Sequence, residues 1–241
     1  MATDDRQLGR VLSRREVLQL LGASGVLMLA GRPLRGGSAA TLRGCVVRPQ
    51  QTEGPYFVDE SLNRSDIRSD PSDGSVKPGT PLDIVFEVSR VSAVGCAPLA
   101  GVLVDVWHCD HLGVYSGVED PGFNTVGKKF LRGYQVADAR GIARFKTIYP
   151  GWYPGRTVHV HFKIRSAPAS KPGYEFVSQL YFDDRLTDEI HTRQPYAAKG
   201  QRNQRNSADR IFLRGGSRLL LDPVRNGQGY AAAFPIALQL S

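Results

Sequence analysis

The sequence predicts a mainly β chain, a mixed β-sandwich with long loops over its site and few short helices. Three observations carry this. Apolar and polar residues alternate with the period of a strand in several short stretches. Turns containing Gly or Pro separate those stretches. No long stretch beyond residue 40 has helical periodicity. Short strands punctuated in this way build sandwiches or barrels.

Residues 1–40 precede that pattern and read as a signal peptide. Ser13-Arg14-Arg15-Glu16-Val17-Leu18 leads into an apolar run through Leu20, Leu21 and Val26 to Ala30, and the small residues Ser38-Ala39-Ala40 follow. A basic region, a short apolar region and a small-residue cleavage site define such a leader. The paired arginines resemble the twin-arginine export signal. Cleavage is expected after Ala40, leaving 41–241 as one exported domain without stable membrane insertion; a retained N-terminal anchor is the alternative.

The formal net charge of the chain is +8, and beyond residue 40 there are 25 basic and 20 acidic residues, a net of +5 without a dense Lys/Arg run. That is a solvated surface and gives no reason to expect a nucleic-acid partner. Three cysteines remain, Cys45, Cys96 and Cys109. An oxidising compartment permits one disulfide and leaves one thiol over. Cys96 and Cys109 bracket a predicted strand and are expected at its opposite ends, so Cys45 is expected to pair with one of them.

The strands follow in order. Leu82, Ile84, Phe86 and Val88 alternate with Asp83, Glu87 and Ser89; Val102 to Trp107 is a compact β-branched run; Ala143 to Ile148, Val158 to Ile164 and Phe176 to Phe182 are further strands. Lys77-Pro78-Gly79, Gly95-Cys96-Ala97-Pro98, Ala139-Arg140-Gly141 and Pro150-Gly151 separate them. Thr187 to Gly229 is polar and irregular and is expected to form loops and short helices over the sandwich.

The stretch from Gly151 to Ile164 carries the chemistry. Val158, Val160, Phe162 and Ile164 fall on one face of a strand, and His159, His161 and Lys163 on the other. Two imidazoles two residues apart stand roughly 7 Å apart along the strand and can reach one metal ion. Just upstream, a Gly/Pro loop holds Tyr153 and Arg156.

Four stretches now stand in order: Gln51-Thr52-Glu53-Gly54-Pro55-Tyr56-Phe57, Pro98 to Ser116 with Trp107-His108-Cys109-Asp110-His111 and Gly113-Val114-Tyr115-Ser116, Phe145 to Ile164, and Ser178-Gln179-Leu180-Tyr181-Phe182. Together they resemble the intradiol ring-cleavage dioxygenases, the catechol and protocatechuate 3,4-dioxygenase family, and most closely its exported single-chain branch. The resemblance implies a non-haem Fe(III) held by Tyr115, Tyr153, His159 and His161. Phenolate is a hard anionic donor and imidazole suits iron, so the donor chemistry agrees. It also implies that Arg156 stabilises negative charge developing on a bound catecholate, and that Gln179 orients the activated ring. Tyr153 is the tyrosine it implies to leave the metal on substrate binding, while Tyr115 stays. Thr52, Gly54, Pro55 and Tyr56 match a segment that lines the pocket in relatives, and Tyr56 fits a packed core aromatic equally well. His108 is expected to be a structural hydrogen-bonding residue, His111 to border the pocket and His191 to be a surface residue. In this chain Arg156-Thr157-Val158-His159 stands where the family more commonly has Arg-Pro-x-His.

The implied reaction inserts both atoms of O₂ between the two hydroxyl-bearing carbons of a catechol, giving a cis,cis-muconate-type diacid. Catechol, protocatechuate, hydroxyquinol and lignin-derived catechols all fit as substrates. A cupin-type oxygenase would pair the H-x-H with a downstream carboxylate, and residues 162–170 contain neither Glu nor Asp. An exported sandwich module that binds a metal or ligand without dioxygenase activity is the alternative from another class, and metal analysis separates it.

Overall fold

A computed structural model of the chain describes residues 45–92, 95–167 and 173–240. The stretch read as a signal peptide, with its cleavage point, lies outside the described residues. Two sheets face each other. In the first, β1 (Pro81–Ser92) is central. It pairs parallel with β11 (Gly229–Leu238) and antiparallel with β2 (Gly95–Pro98) and β7 (Ile142–Ile148), while β10 (Val224–Asn226) flanks β11. The second sheet runs β6 (Arg132–Val136), β3 (Leu103–Trp107), β8 (His159–Arg165), β9 (Glu175–Tyr181), all antiparallel. A two-stranded ribbon, β4 (Glu119–Asp120) and β5 (Phe123–Asn124), stands apart. The chain is mainly β, as the alternation and the turns require.

The core lies between the sheets. Leu82, Ile84, Phe86 and Val88 of β1 meet Val104, Val106, Val160, Phe162 and Ile164 of the second sheet, all buried. Phe86 and Phe162 rings lie 5.2 Å apart, and Phe162 and Phe234 rings 5.5 Å apart. Each buried aromatic removes a large apolar area from water, worth about 25 cal/mol per Å². With its apolar residues turned inward, β8 points His159, His161 and Lys163 to the other face of its sheet.

Register then sets the neighbours on that outer face. Residues directly opposite across a sheet share a face. His161 pairs with Trp107 on β3 and with Gln179 on β9, and His159 pairs with Tyr181. Loops close over this row.

Several elements escaped sequence reading: β6 and β11, the short β4, β5 and β10, and β2, whose Gly95–Pro98 reads as a turn in the sequence. In β11, Tyr230, Ala232, Phe234, Ile236 and Leu238 are buried in alternation, but the alanines and Pro235 between them blur the pattern. The polar stretch forms α1 (Asp184–His191), several 3₁₀ turns and β10. Asp183 caps α1, its side chain accepting from the Arg185 and Leu186 amides. No helix among the described residues is long and apolar enough to cross a membrane.

Two expectations are corrected. His191 is not a surface residue: at 8% exposure it is buried, its Nε2 donates to the Pro150 carbonyl at 3.1 Å, and its ring stacks on Tyr196 at 5.0 Å. Its polar neighbours in sequence hide the inward face of α1. Cys96 does not begin the strand that ends near Cys109; it belongs to β2, the hairpin partner of β1. It pairs with Cys45, with Cα atoms 5.6 Å apart, and Cys109 stays a buried free thiol.

Candidate active site

Strand β8 presents His159 and His161 from a rigid sheet, and two loops bring the tyrosines to them. Tyr115 lies on the loop after β3. Asp110 folds that loop, its Oδ1 accepting from the amides of Leu112 at 2.9 Å and Val114 at 3.1 Å. Gly113 lets it approach the loop that carries Tyr153. Its φ is +79°, and a Cβ there would lie 2.2 Å from the Trp152 carbonyl oxygen. Only glycine meets both conditions at low cost. Thr125 Oγ1 donates to the Tyr115 carbonyl at 2.6 Å. Buried Arg132 ties the Ser116 hydroxyl, at 2.8 Å, to the Tyr56 carbonyl, at 3.3 Å.

Four donor atoms converge. His159 Nε2 lies 3.0 Å from His161 Nε2, 3.2 Å from Tyr153 Oη and 3.5 Å from Tyr115 Oη. Such separations are the edges of a polyhedron around one ion with bonds of about 2.1 Å. Among the described residues no group of three His, Cys, Asp or Glu side chains offers a metal site, so the phenols are needed to complete a donor set.

The protonation chemistry fits a cation. Burial, reinforced by Arg156, holds His159 at a pKa of about 3, and burial holds His161 well below its usual value. Both imidazoles are therefore neutral and offer a lone pair. His159 Nδ1 donates to the Thr157 carbonyl at 2.6 Å, which fixes the tautomer and aims Nε2 at the cluster. His161 Nδ1 is buried with no protein partner, and its ring is held by a near-parallel stack on Trp107 at 5.0 Å. Burial pushes the Tyr115 phenol well above its ordinary pKa and raises Tyr153 too. Two such phenols ionise only beside a strong positive charge, which a trivalent ion supplies. The residues present thus fit the Fe(III) that the resemblance implies.

Arg156 and Gln179 sit beside this cluster. Arg156 Nη1 lies 3.5 Å from His159 Nε2, and Nη2 donates to Gln179 Oε1 at 2.5 Å. Burial pulls the Arg156 pKa down, but the Tyr153 phenol and the Asp209 carboxylate outweigh it and the net move is upward. Gln179 Nε2 donates to the Thr52 carbonyl at 2.9 Å, so Gln179 links Arg156 to the 51–57 segment.

A cavity of about 460 Å³ opens on the tyrosines, walled by Tyr56, Leu112, Gly113, Val114, Tyr115, Asp120, Phe123, Tyr153 and Lys199 among others. It is large enough for a single-ring ligand. Tyr56 stacks on Tyr115 with ring centroids 4.4 Å apart and donates its hydroxyl to Asp120 at 2.7 Å. Thr52, Gly54 and Pro55 are not part of this wall. Gly54, at φ +75°, packs beneath His161, where a Cβ would lie 3.2 Å from the ring, and Pro55 is exposed. His108 makes structural hydrogen bonds, Nε2 to Thr147 Oγ1 at 2.7 Å and Nδ1 to the Cys109 carbonyl at 2.8 Å. His111 does not line this cavity, contrary to expectation; its ring lies edge-on to Tyr196 at 6.4 Å.

Sequence reading missed Asp209 and Asn206. The Thr157 amide donates to Asp209 Oδ2 at 2.8 Å, and Thr157 Oγ1 donates to Asn206 Oδ1 at 2.7 Å. Both partners stand about fifty positions away in the polar stretch, where no local pattern marks them.

Comparison with known proteins identifies relatives of the chain. A family model described as "Dioxygenase" matches residues 52–210. The chain is 31% identical over 197 residues to the protocatechuate 3,4-dioxygenase beta chain of Burkholderia cepacia, covering 77% of this chain and 76% of that one. Among solved structures, an intradiol ring-cleavage dioxygenase from Tetranychus urticae superposes with a TM-score of 0.68 at 28% identity, over 81% of this chain and 95% of that one. The dioxygenase domain of a dioxygenase–carbohydrate-binding fusion from Streptomyces sp. SirexAA-E gives 0.56 at 31% identity, over 81% and 99%. With the family model spanning more than half of the chain and solved dioxygenases superposing on its fold, the chain belongs to the intradiol ring-cleavage dioxygenase family of enzymes.

Proposed function

We propose that the protein is a non-haem Fe(III) dioxygenase that uses O₂ to cleave a catechol between its hydroxylated carbons, giving a cis,cis-muconate-type product. One observation carries this reading: two phenols and a second neutral imidazole lie 3.0–3.5 Å from His159 Nε2, and both tyrosines line a cavity. Tyr115, Tyr153, His159 and His161 would hold the ion. Bound there, Fe(III) supplies the Lewis acidity and redox capacity that make a catecholate reactive toward O₂.

The chain's own residues do the rest. Tyr56, Val114 and Phe123 supply apolar wall against which a flat ring would orient. Tyr115 is fully buried, whereas Tyr153 is partly exposed on a loop beside the exposed Pro154 and Gly155. Tyr153 is therefore the tyrosine with room to move; held as a phenolate when the ion is bound, its Oη would be able to accept a proton from an entering catechol. The Arg156 guanidinium, charged at any working pH, faces the donor cluster and stabilises negative charge on the substrate oxygens.

Metal analysis and oxygen uptake test the reading. The purified protein is expected to hold about one iron per chain, to be coloured by phenolate-to-iron charge transfer, and to consume O₂ with at least one of catechol, protocatechuate or hydroxyquinol. A colourless zinc protein that consumes no O₂ with any of them refutes it.

The proposal extends to location. Residues 1–40 are a twin-arginine leader, 41–241 the exported enzyme, and the Cys45–Cys96 disulfide supports an oxidising compartment. Replacing Arg14 and Arg15 together by Lys is expected to leave the protein in the cytoplasm on cell fractionation. Undiminished export would show that the paired arginines are not the signal.

A further inference from the structure

The Arg156 guanidinium is a rigid planar group, so two fixed contacts set its plane and aim its third nitrogen. Nη2 meets Gln179 Oε1 at 2.5 Å, Nε meets Asp209 Oδ2 at 2.9 Å, and Nη1 is left facing the donor cluster. Gln179 is a site residue by position in the sheet. Asp209 comes from the polar stretch, 53 residues beyond Arg156.

Asp209 is itself locked. Its residue exposure is 0%. Oδ1 accepts from the amides of Ile211 at 2.7 Å and Phe212 at 2.9 Å, which holds its own turn. Oδ2 accepts from Arg156 Nε and, at 2.8 Å, from the Thr157 amide. The two oxygens divide the work: one keeps the turn, the other keeps the arginine. The Thr157 contact exists because this residue has an N–H to donate; a proline there could not make it.

We propose that Asp209 is the positioning residue for Arg156, its Oδ2 fixing the plane of the guanidinium through Nε and the Thr157 amide so that Nη1 is aimed at His159 Nε2 in the donor cluster. The proposal rests on the reading of the site as an intradiol dioxygenase centre, with Arg156 as its electrostatic donor. A buried carboxylate that only stabilised the fold would not need to meet Arg156, whose Nη1 faces His159 Nε2.

The test is a double-mutant cycle in iron-loaded protein, with a crystal structure beside it. Asp209→Asn can keep Oδ1 on its own turn, but it then presents an amide N–H₂ to two donors, Arg156 Nε and the Thr157 amide. Turnover is expected to fall about 10- to 100-fold, as for loss of a group that orients a ligand, with KM for the catechol within about threefold. In an Arg156→Ala background the same substitution is expected to cost less than about twofold more, because the residue it acts through is gone. A multiplicative loss there, accompanied by a lowered Tm, marks a structural role and overturns the proposal. The crystal structure of Asp209→Asn is expected to show the guanidinium off Gln179 with the four donors unmoved; an unmoved guanidinium overturns it. Arg156→Lys serves where Asp209→Asn does not fold. It keeps the charge but offers one nitrogen in place of a fork, so turnover is expected to drop at least about tenfold; near-wild-type turnover overturns the proposal. If the wild-type protein cleaves no catechol, the functional reading fails, and the crystal structure still decides whether Asp209 holds Arg156.

Discussion

At the scale of the residue, the proposed chemistry turns on a positive charge held, mostly buried, beside the donor cluster. Arg156 Nη1 lies 3.5 Å from His159 Nε2, yet a guanidinium is no ligand. Arg156→Ala is therefore expected to keep its iron and visible colour while losing turnover by a factor on the order of 10²–10³, the effect of removing one preorganised electrostatic donor. Iron analysis and steady-state kinetics on one preparation check it, and near-normal turnover in the iron-loaded variant would remove Arg156 from the mechanism. Residues of this kind were legible because they fall within short motifs. Asp209 was not, because a lone Asp in a polar stretch has no signature until the fold sets it against Arg156.

At the scale of the element, β8 shows why alternation is informative. Its apolar residues have one destination, the core, so its histidines have no choice of face. The helix α1 shows the opposite case. Asp183 marks its start and Asp184 its first turn, but nothing in its sequence says that His191 turns inward. Burial lowers the His191 pKa to about 4, with the Pro150 carbonyl pulling the other way. The unfolded chain protonates this ring near pH 6.5, whereas the folded one keeps it neutral to about pH 4. Its folded pKa is depressed, so its contribution is complete above about pH 6.5 and is lost as pH falls toward 4. The Tm advantage of wild type over His191→Asn is expected to be largest above about pH 6.5 and to shrink by pH 4.5 in calorimetry. An advantage that grows on acidification contradicts this account.

At the scale of the whole molecule, the site stands on the outer face of one sheet while stability comes from the space between the two. The first sheet gathers strands from both ends of the domain, since β1 lies between β11 and the β2 and β7 strands. The Cys45–Cys96 bond adds a covalent tie, closing 51 residues of chain beside that sheet. A loop of that length restrains the unfolded chain by about 4 kcal/mol in the chain-entropy model. Replacing both cysteines by serine is expected to lower Tm by several degrees while leaving iron content and the visible spectrum unchanged, because Cys96 belongs to the first sheet and the histidine donors to the second. Loss of iron at an unchanged Tm would place the disulfide's role in the site.

By itself the sequence determined the class of the fold and the core-facing residues of β1 and β8, because strand period is a local property that assigns faces. The set of residues gathered in the donor cluster came from the family resemblance carried by four short motifs. Only the tertiary structure decided that His161 lies between Trp107 and Gln179, that Cys45 meets Cys96, that His191 is buried and that Asp209 grips Arg156. Those facts depend on register, on sheet order and on long-range contact, where the partner of a residue is chosen by the packing of the whole chain and leaves no mark in the residues around it.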